Sequence, residues 1–204
     1  MAINLSKGQK INLKKDSGKS LDSFCVGLNW GAIEGKAFFG LMSTTSSVDL
    51  DGSCIQFDDE GNDFDCVYYG HLKSNDRSIA HSGDDLTGDI GGDDGLDNEV
   101  ISVDLSIVNP NVTQIYFVLN SYKKQDFASI PYARIRMYEG TAKSVEKVFA
   151  KFDVSSEPQY AGHVSMIMGK LYKRNGEWKF HAIGEAIKDR DLDSTILRIK
   201  ESYI

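Results

Sequence analysis

Ser82-Gly83-Asp84-Asp85-Leu86-Thr87-Gly88-Asp89-Ile90-Gly91-Gly92-Asp93-Asp94-Gly95-Leu96-Asp97-Asn98-Glu99 is the stretch on which the reading of this chain depends. Carboxylates alternate with glycines throughout it, and no Lys or Arg lies between Arg77 and Lys123. Like charges this close raise one another's pKa unless they share a cation. Glycine reaches backbone conformations with φ > 0, so such a segment can fold back and aim several oxygens at one point. Hard oxygen ligands on a turning loop are what Ca²⁺ needs, about six to eight of them. Without a cation the segment is expected to be a mobile acidic loop.

A helix-loop-helix site is excluded. That motif needs a glycine at its sixth position and a glutamate at its end. Read from Asp85, the glycine position holds Ile90, and read from Asp89, the terminal position holds Val100. The flanks have strand and not helix periodicity, so a cation here is held between the loops of a β protein.

Working outward, short alternating runs dominate. Phe24, Val26, Leu28 and Trp30 alternate with Cys25, Gly27 and Asn29, the period of a half-buried strand. Val48 and Leu50 share one face of the next predicted strand, and Asp49 and Asp51 share the other. Neighbouring carboxylates on a strand are unfavourable without a cation, which points Asp49 and Asp51 at the acidic loop. Ile55 and Phe57 lead into the acidic hairpin turn Asp58 to Asp63, and Val67 begins the return. His71 and His81 precede the loop, with nothing in the sequence to bring them together. After it come Ile101, Val103 and Leu105, and then the run Gln114 to Leu119, which reads as a central strand covered on both faces. Ala133, Ile135 and Met137 alternate with Arg134, Arg136 and Tyr138, leaving the arginines on one sheet face. Asn175-Gly176 marks a tight hairpin. Asp16-Ser17-Gly18 marks an earlier turn. Leu192, Ile196 and Ile199 fall at helical spacing behind Asp191 or Asp193 as the cap. The expectation is an all-β chain, a single domain over 1–204: a two-sheet antiparallel β-sandwich with a short C-terminal helix.

The 204 residues suffice for a sizeable core. A net charge of −7 argues against nucleic acid as a partner. No apolar run is long enough for membrane insertion, and no secretory signal is legible at Met1. The three cysteines, Cys25, Cys54 and Cys66, lack zinc or disulfide spacing and read as reduced thiols of a cytoplasmic protein.

Several pieces, in order, resemble the TerD family of tellurium-resistance and stress-response proteins. They are Ile3-Asn4-Leu5-Ser6-Lys7-Gly8, Val26-Gly27-Leu28-Asn29-Trp30, Asp49-Leu50-Asp51, Ser82 to Gly88, Gly92-Asp93-Asp94, Asp104-Leu105-Ser106 and Asn175-Gly176-Glu177-Trp178-Lys179-Phe180. The resemblance covers nearly the whole chain and implies a β-sandwich holding two Ca²⁺ ions near one edge. It also implies other tellurium-resistance proteins as partners, a TerC-like membrane protein among them. The chain departs from the family pattern at Gly31, where Asp is usual, at Asp85, where Asn is usual, and at Gly95, where Glu is usual. Gly31 and Gly95 each remove a ligand, with Asp85, Asp97 or Glu99 to compensate, so one or two Ca²⁺ ions are expected.

The candidate ligands are Asp49 and Asp51 from the strand and Asp84, Asp85, Asp89, Asp93 and Asp94 from the loop. Backbone carbonyls near Thr87 and Gly91 complete the set. The expected function is calcium-binding, non-enzymatic stress response as a sensor or scaffold. Two alternatives stand beside it. One is a metal-dependent hydrolase, although no base–nucleophile pairing is legible. The other is a small-ligand (cyclic nucleotide) module gripping phosphate through Arg134 and Arg136, like a related slime-mould protein.

Overall fold

The computed structural model describes residues 2–15, 17–37, 42–155 and 158–204. Asp16, part of the segment read above as a turn, lies outside them, as does Met1. The first half of the chain supplies β1 (Ile3–Asn4), β2 (Lys10–Asn12), β3 (Ser23–Trp30), β4 (Ile33–Ala37), β5 (Met42–Ser46), β6 (Leu50–Phe57), β7 (Asp63–Val67) and β8 (Ile79–His81). The second half supplies β9 (Glu99–Asp104), β10 (Gln114–Ser121), β11 (Tyr132–Thr141), β12 (Ser144–Ser155), β13 (Ser165–Arg174), β14 (Glu177–Ile187) and the helix α1 (Leu192–Ser202).

Two six-stranded sheets face each other, in the orders β1-β12-β11-β3-β9-β8 and β2-β14-β13-β10-β6-β7. Pairing is antiparallel except at the short β1, which runs parallel to β12. The inward faces of both sheets meet in one apolar core that includes Val26, Leu28, Trp30, Leu50, Cys54, Phe117, Ile135 and Met168. A second cluster lies on the outer face of the second sheet, where Ile199 of α1 covers Ile55, Phe57, Tyr116 and Val118. β10 is therefore buried on both faces, as its continuous apolar run requires.

The helix starts where Asp191 caps it, accepting from Ser194 N–H at 2.8 Å. Asn175 and Gly176 take φ of 53° and 78°, the left-handed pair that a two-residue hairpin between β13 and β14 demands. The acidic tip after β6 is a local turn and not a cage. Asp58 accepts from the backbone N–H of Glu60 at 2.9 Å and of Asn62 at 2.8 Å.

Two readings are corrected. The separate strands expected at Val48–Asp51 and at Ile55–Phe57 are one strand, β6, and Val48 and Asp49 lie just before it. The hairpin β4–β5 was not anticipated, because its residues carry little apolar alternation.

One half-buried acid, Asp76, ties loops together away from the candidate site. Burial raises the pKa of Asp76, but donors from Ser74, Ser78 and Asn109 overcome this and hold it at about 2. Ser74 Oγ and Ser78 Oγ donate at 2.7 and 2.6 Å, and Asn109 N–H at 2.8 Å. A depressed carboxyl adds stability that is fully present above the unfolded value near 4 and is lost as pH falls toward 2. Asp76→Ala is expected to lower stability at pH 7 by about 2–3 kcal/mol, since it strands several buried donors. Urea melts at pH 7 and pH 2.5 check this, because the penalty must shrink at the lower pH.

Candidate metal centre

The loop of Ser82 to Glu99 does not gather its acids at one point. It brings them into two groups, Asp49, Asp51 and Asp84 in one and Asp89, Asp93 and Asp94 in the other. Within each group one carboxylate oxygen per residue lies within 4.8 Å of the others. Oxygens bound to one Ca²⁺ at about 2.3–2.6 Å can be up to about 5 Å apart, so both groups have the span for an ion. Among the described residues, neither group includes a histidine or a cysteine.

The first group sits where the loop crosses from β8 to the start of β6. Asp49 is 3% exposed, and its Oδ1 has no hydrogen-bond partner. Its Oδ2 stands 3.4 Å from Lys123 Nζ. Burial pushes the Asp51 carboxyl up to about 7, with help from Glu99, Asp49 and Asp84. Burial and then Asp49 raise Asp84 in the same direction. Three acids that repel one another around an orphaned buried oxygen have the electrostatics of a site built for a cation. They line one cleft of about 190 Å³ with Tyr69, Leu86 and Tyr122.

The second group is already satisfied from within. Tyr132 Oη donates to Asp89 Oδ2 at 2.7 Å, and Asn29 Nδ2 donates to the same oxygen at 3.0 Å. Asn98 Nδ2 reaches Asp89 Oδ1 at 3.1 Å. Arg134 Nη1 stands 2.5 Å from Asp93 Oδ2. Burial raises Asp93, but Arg134 and the Gly95 N–H overcome it and hold the carboxyl below its ordinary value. Asp94 accepts from Leu96 N–H at 2.9 Å in a local turn. A Cβ at Gly31 would meet Pro131 Cγ and Tyr132 Cε1, each at 2.7 Å, so a side chain at this position does not fit without moving one of those rings. Tyr132 bonds to Asp89 beside that position instead.

The remaining candidates have structural duties. Asp85 belongs to neither group. Its Oδ1 accepts from Thr87 N–H at 2.8 Å, Thr87 Oγ1 at 3.0 Å and Gly88 N–H at 2.9 Å, which shapes the turn. The Thr87 carbonyl accepts from Val48 N–H at 2.9 Å and docks the turn on the strand start. Gly91 lies in the exposed arm of the loop with φ of 83°. Asp97 and Glu99 do not supply missing ligands either. Arg136 Nε donates to Asp97 Oδ1 at 2.7 Å. Glu99, fully buried, accepts from Gly52 N–H at 2.7 Å and links the two sheets. His81 Nδ1 accepts from Gly83 N–H at 3.1 Å, which leaves Nε2 to carry the proton, 3.2 Å from Glu99 Oε2. His71 is elsewhere, 3.3 Å from Asp65.

Arg134 and Arg136 are thus not an open face for phosphate. Arg136 faces Gly27 across the β3–β11 ladder, and the acidic loop lies over both. A Cβ on Gly27 would come within 2.0 Å of Asp97 Oδ2. This is the reason for a glycine inside an otherwise apolar strand. The arm of the loop at Asp93 and Asp97, which looked unneutralised in sequence, is neutralised by β11.

The fold and the site together define a two-sheet β-sandwich protein with two acidic groups, one where the long loop meets the start of β6 and one on the loop itself, that could hold a metal ion. The TerD domain model matches residues 1–196, and the chain belongs to that family. It is 37% identical over 211 residues to stress response protein SCP2 of Bacillus subtilis (strain 168), covering 97% of this chain and 99% of that one. It is 32% identical to tellurium resistance protein TerZ of Serratia marcescens, covering 94% of this chain and 93% of the relative. Among solved structures, a homologue of the telluride resistance protein TerD, SCO6318 from Streptomyces coelicolor A3(2), superimposes with a TM-score of 0.63 at 14% identity. That likeness covers 87% of this chain and 96% of the other and concerns the fold. The family is one of tellurium resistance and stress response. No helix of the described residues is long and apolar enough to cross a membrane.

Proposed function

We propose that this protein is a calcium-binding, non-enzymatic stress-response protein that holds one Ca²⁺ at Asp49, Asp51 and Asp84 and acts as a cytoplasmic sensor or scaffold. The observation that carries the reading is the orphaned, buried Asp49 Oδ1 between two carboxyls whose pKa values burial and mutual repulsion raise. The second acidic group is held by Arg134, Tyr132, Asn29 and Asn98, which argues for one ion and not two. An all-oxygen, loop-borne donor set suits Ca²⁺ better than the smaller, more rigidly octahedral Mg²⁺. Other tellurium-resistance proteins, including a TerC-like membrane protein, are the proposed partners, on the strength of the family. The net charge of −7 leaves nucleic acid out of the reading.

Calorimetric titration of metal-free protein tests this. One Ca²⁺ per chain is expected, with Mg²⁺ binding more weakly. Asp51→Asn should weaken Ca²⁺ by about tenfold or more, since ligand charge tunes such sites over decades. Asp94→Asn should leave the affinity as it was. Two equivalent ions, Mg²⁺ binding as tight as Ca²⁺, or an indifferent Asp51→Asn would overturn the proposal.

A further inference from the structure

The hairpin β4–β5 is a ribbon apart from the sandwich. It forms a two-stranded sheet of its own, with Ile33 opposite Ser46, Gly35 opposite Thr44 and Ala37 opposite Met42. Among the described residues neither strand pairs with a third along its other edge. Glu34, Gly35, Thr44, Thr45 and Ser46 are exposed. The legs of the ribbon are fixed by the acidic loop. Ala32 N–H donates to the Asp89 carbonyl and Val48 N–H to the Thr87 carbonyl, each at 2.9 Å. A two-stranded hairpin is marginal in water by itself and gains stability when further strands extend it. A bare edge is also a template for pairing with another chain. The outermost strands of the two large sheets offer less. β1, β2 and β8 are two or three residues long, and β7 carries two charges of one sign, Asp63 and Asp65. β4 instead reads Ile33-Glu34-Gly35-Lys36-Ala37, with an acid and a base placed symmetrically about a central glycine.

We propose that β4 pairs with β4 of a second copy of this chain, antiparallel, with the two-fold axis at Gly35. A two-fold axis sets a strand against its own reversed copy. In that register Gly35 meets Gly35, and Glu34 of each copy stands opposite Lys36 of the other. Opposite charges directly opposed favour a strand pair, and like charges disfavour it. Residues opposed in an antiparallel ladder share one hydrogen-bonding state, so the axis must fall on a residue. On Glu34 or on Lys36 it would set like charges face to face, and Gly35 is the position between them that matches both pairs. A glycine inside a strand also marks a place where another backbone comes close. The net charge of −7 does not forbid the contact. Ala32, where the acidic loop holds β4, is three residues from the axis, about 10 Å at the rise of an extended strand. The two loops then lie on opposite sides, about 20 Å apart, more than twice the Debye length of about 8 Å in physiological salt. No candidate metal ligand enters the contact.

Sedimentation equilibrium of the full chain, in Ca²⁺ and in chelator, tests the proposal. A reversible dimer is expected in both buffers with a Kd below about 1 mM, in the weak class that small interfaces form. Glu34→Lys and Lys36→Glu each turn both opposed pairs into like charges, and each should weaken the dimer by about tenfold or more. The double variant Glu34→Lys with Lys36→Glu restores the match in reverse and should return Kd to within about threefold of the parent. General repulsion between acidic chains would act differently. It would tighten the dimer in Glu34→Lys and loosen it in Lys36→Glu, since the two move the net charge in opposite directions. Amide shifts on dilution should centre on 33–37. A monomer at every concentration up to about 1 mM, single variants that shift in opposite directions or dimerise as the parent does, or a double variant as weak as the singles would overturn the proposal.

Discussion

Adding Ca²⁺ to metal-free protein is expected to raise its melting temperature by about 5–11 °C at a hundredfold excess over Kd. A ligand that binds only the native state adds RT ln(1 + [L]/Kd), about 2.7 kcal/mol there, and each kcal/mol moves a chain of this size by about 2–4 °C. The gain has a local source. Asp51 is pushed to about 7 by burial and by Glu99, Asp49 and Asp84, a repulsion that the ion removes. Far-UV circular dichroism should change little, because the core joins the inward faces of both sheets independently of the loop. Limited proteolysis should locate the effect. Cleavage in chelator is expected at 83–87, beside the unsatisfied acids and the exposed Leu86. The arm 93–97 should stay protected, since Arg134 and Arg136 hold it down. Identical melts with and without chelator would remove calcium from the structure's stability. Uniform cleavage along 82–99 would show that the arginine contacts do not pin the arm.

Arg136→Ala is expected to destabilise the protein by about 3–5 kcal/mol, the cost of leaving a buried charge without its partner. The Asp97 side chain is 1% exposed, with Arg136 Nε 2.7 Å from its Oδ1. Burial already raises the Asp97 carboxyl despite that partner, so the pair is held at a cost. Arg136 Nη2 also donates to the Gly95 carbonyl at 2.8 Å, and the variant frees the loop at two points. Arg136→Ala with Asp97→Ala should recover a good part of the loss, because no charge is then stranded. Gly27→Ala should imitate the single variant by pushing Asp97 off the strand. Denaturant melts of the four proteins read this out. A double variant no more stable than Arg136→Ala would mean that the loss lies in packing and not in the charge.

The sheet faces were legible because burial on one face imposes a period of two, which β3 and β11 display, and burial on both imposes a continuous apolar run, which β10 displays. The helix, with a cap at Asp191 or Asp193 of which the structure uses Asp191, and the Asn175-Gly176 turn were legible because each rests on residues adjacent in the chain. So was the acidity of Ser82 to Glu99 and its unsuitability for a helix-loop-helix site. The β4–β5 hairpin was not legible, because its residues alternate too little to signal a buried face. The division of the acids was not legible either. Asp84 and Asp85 are neighbours of one chemistry, yet one faces Asp49 and Asp51 while the other closes its own turn. Sequence showed seven carboxylates in that loop without a local cation. Only the β3–β11 pairing, which sets Gly27 opposite Arg136, delivers the arginines to them. Charges act through space at a few ångströms, and residues some forty positions apart are brought that close by the sheet alone. Sequence therefore determined that this chain is a β-sandwich with an acid-rich loop. Tertiary structure decided which of those acids are neutralised from within and which stand in a group that could hold a metal ion.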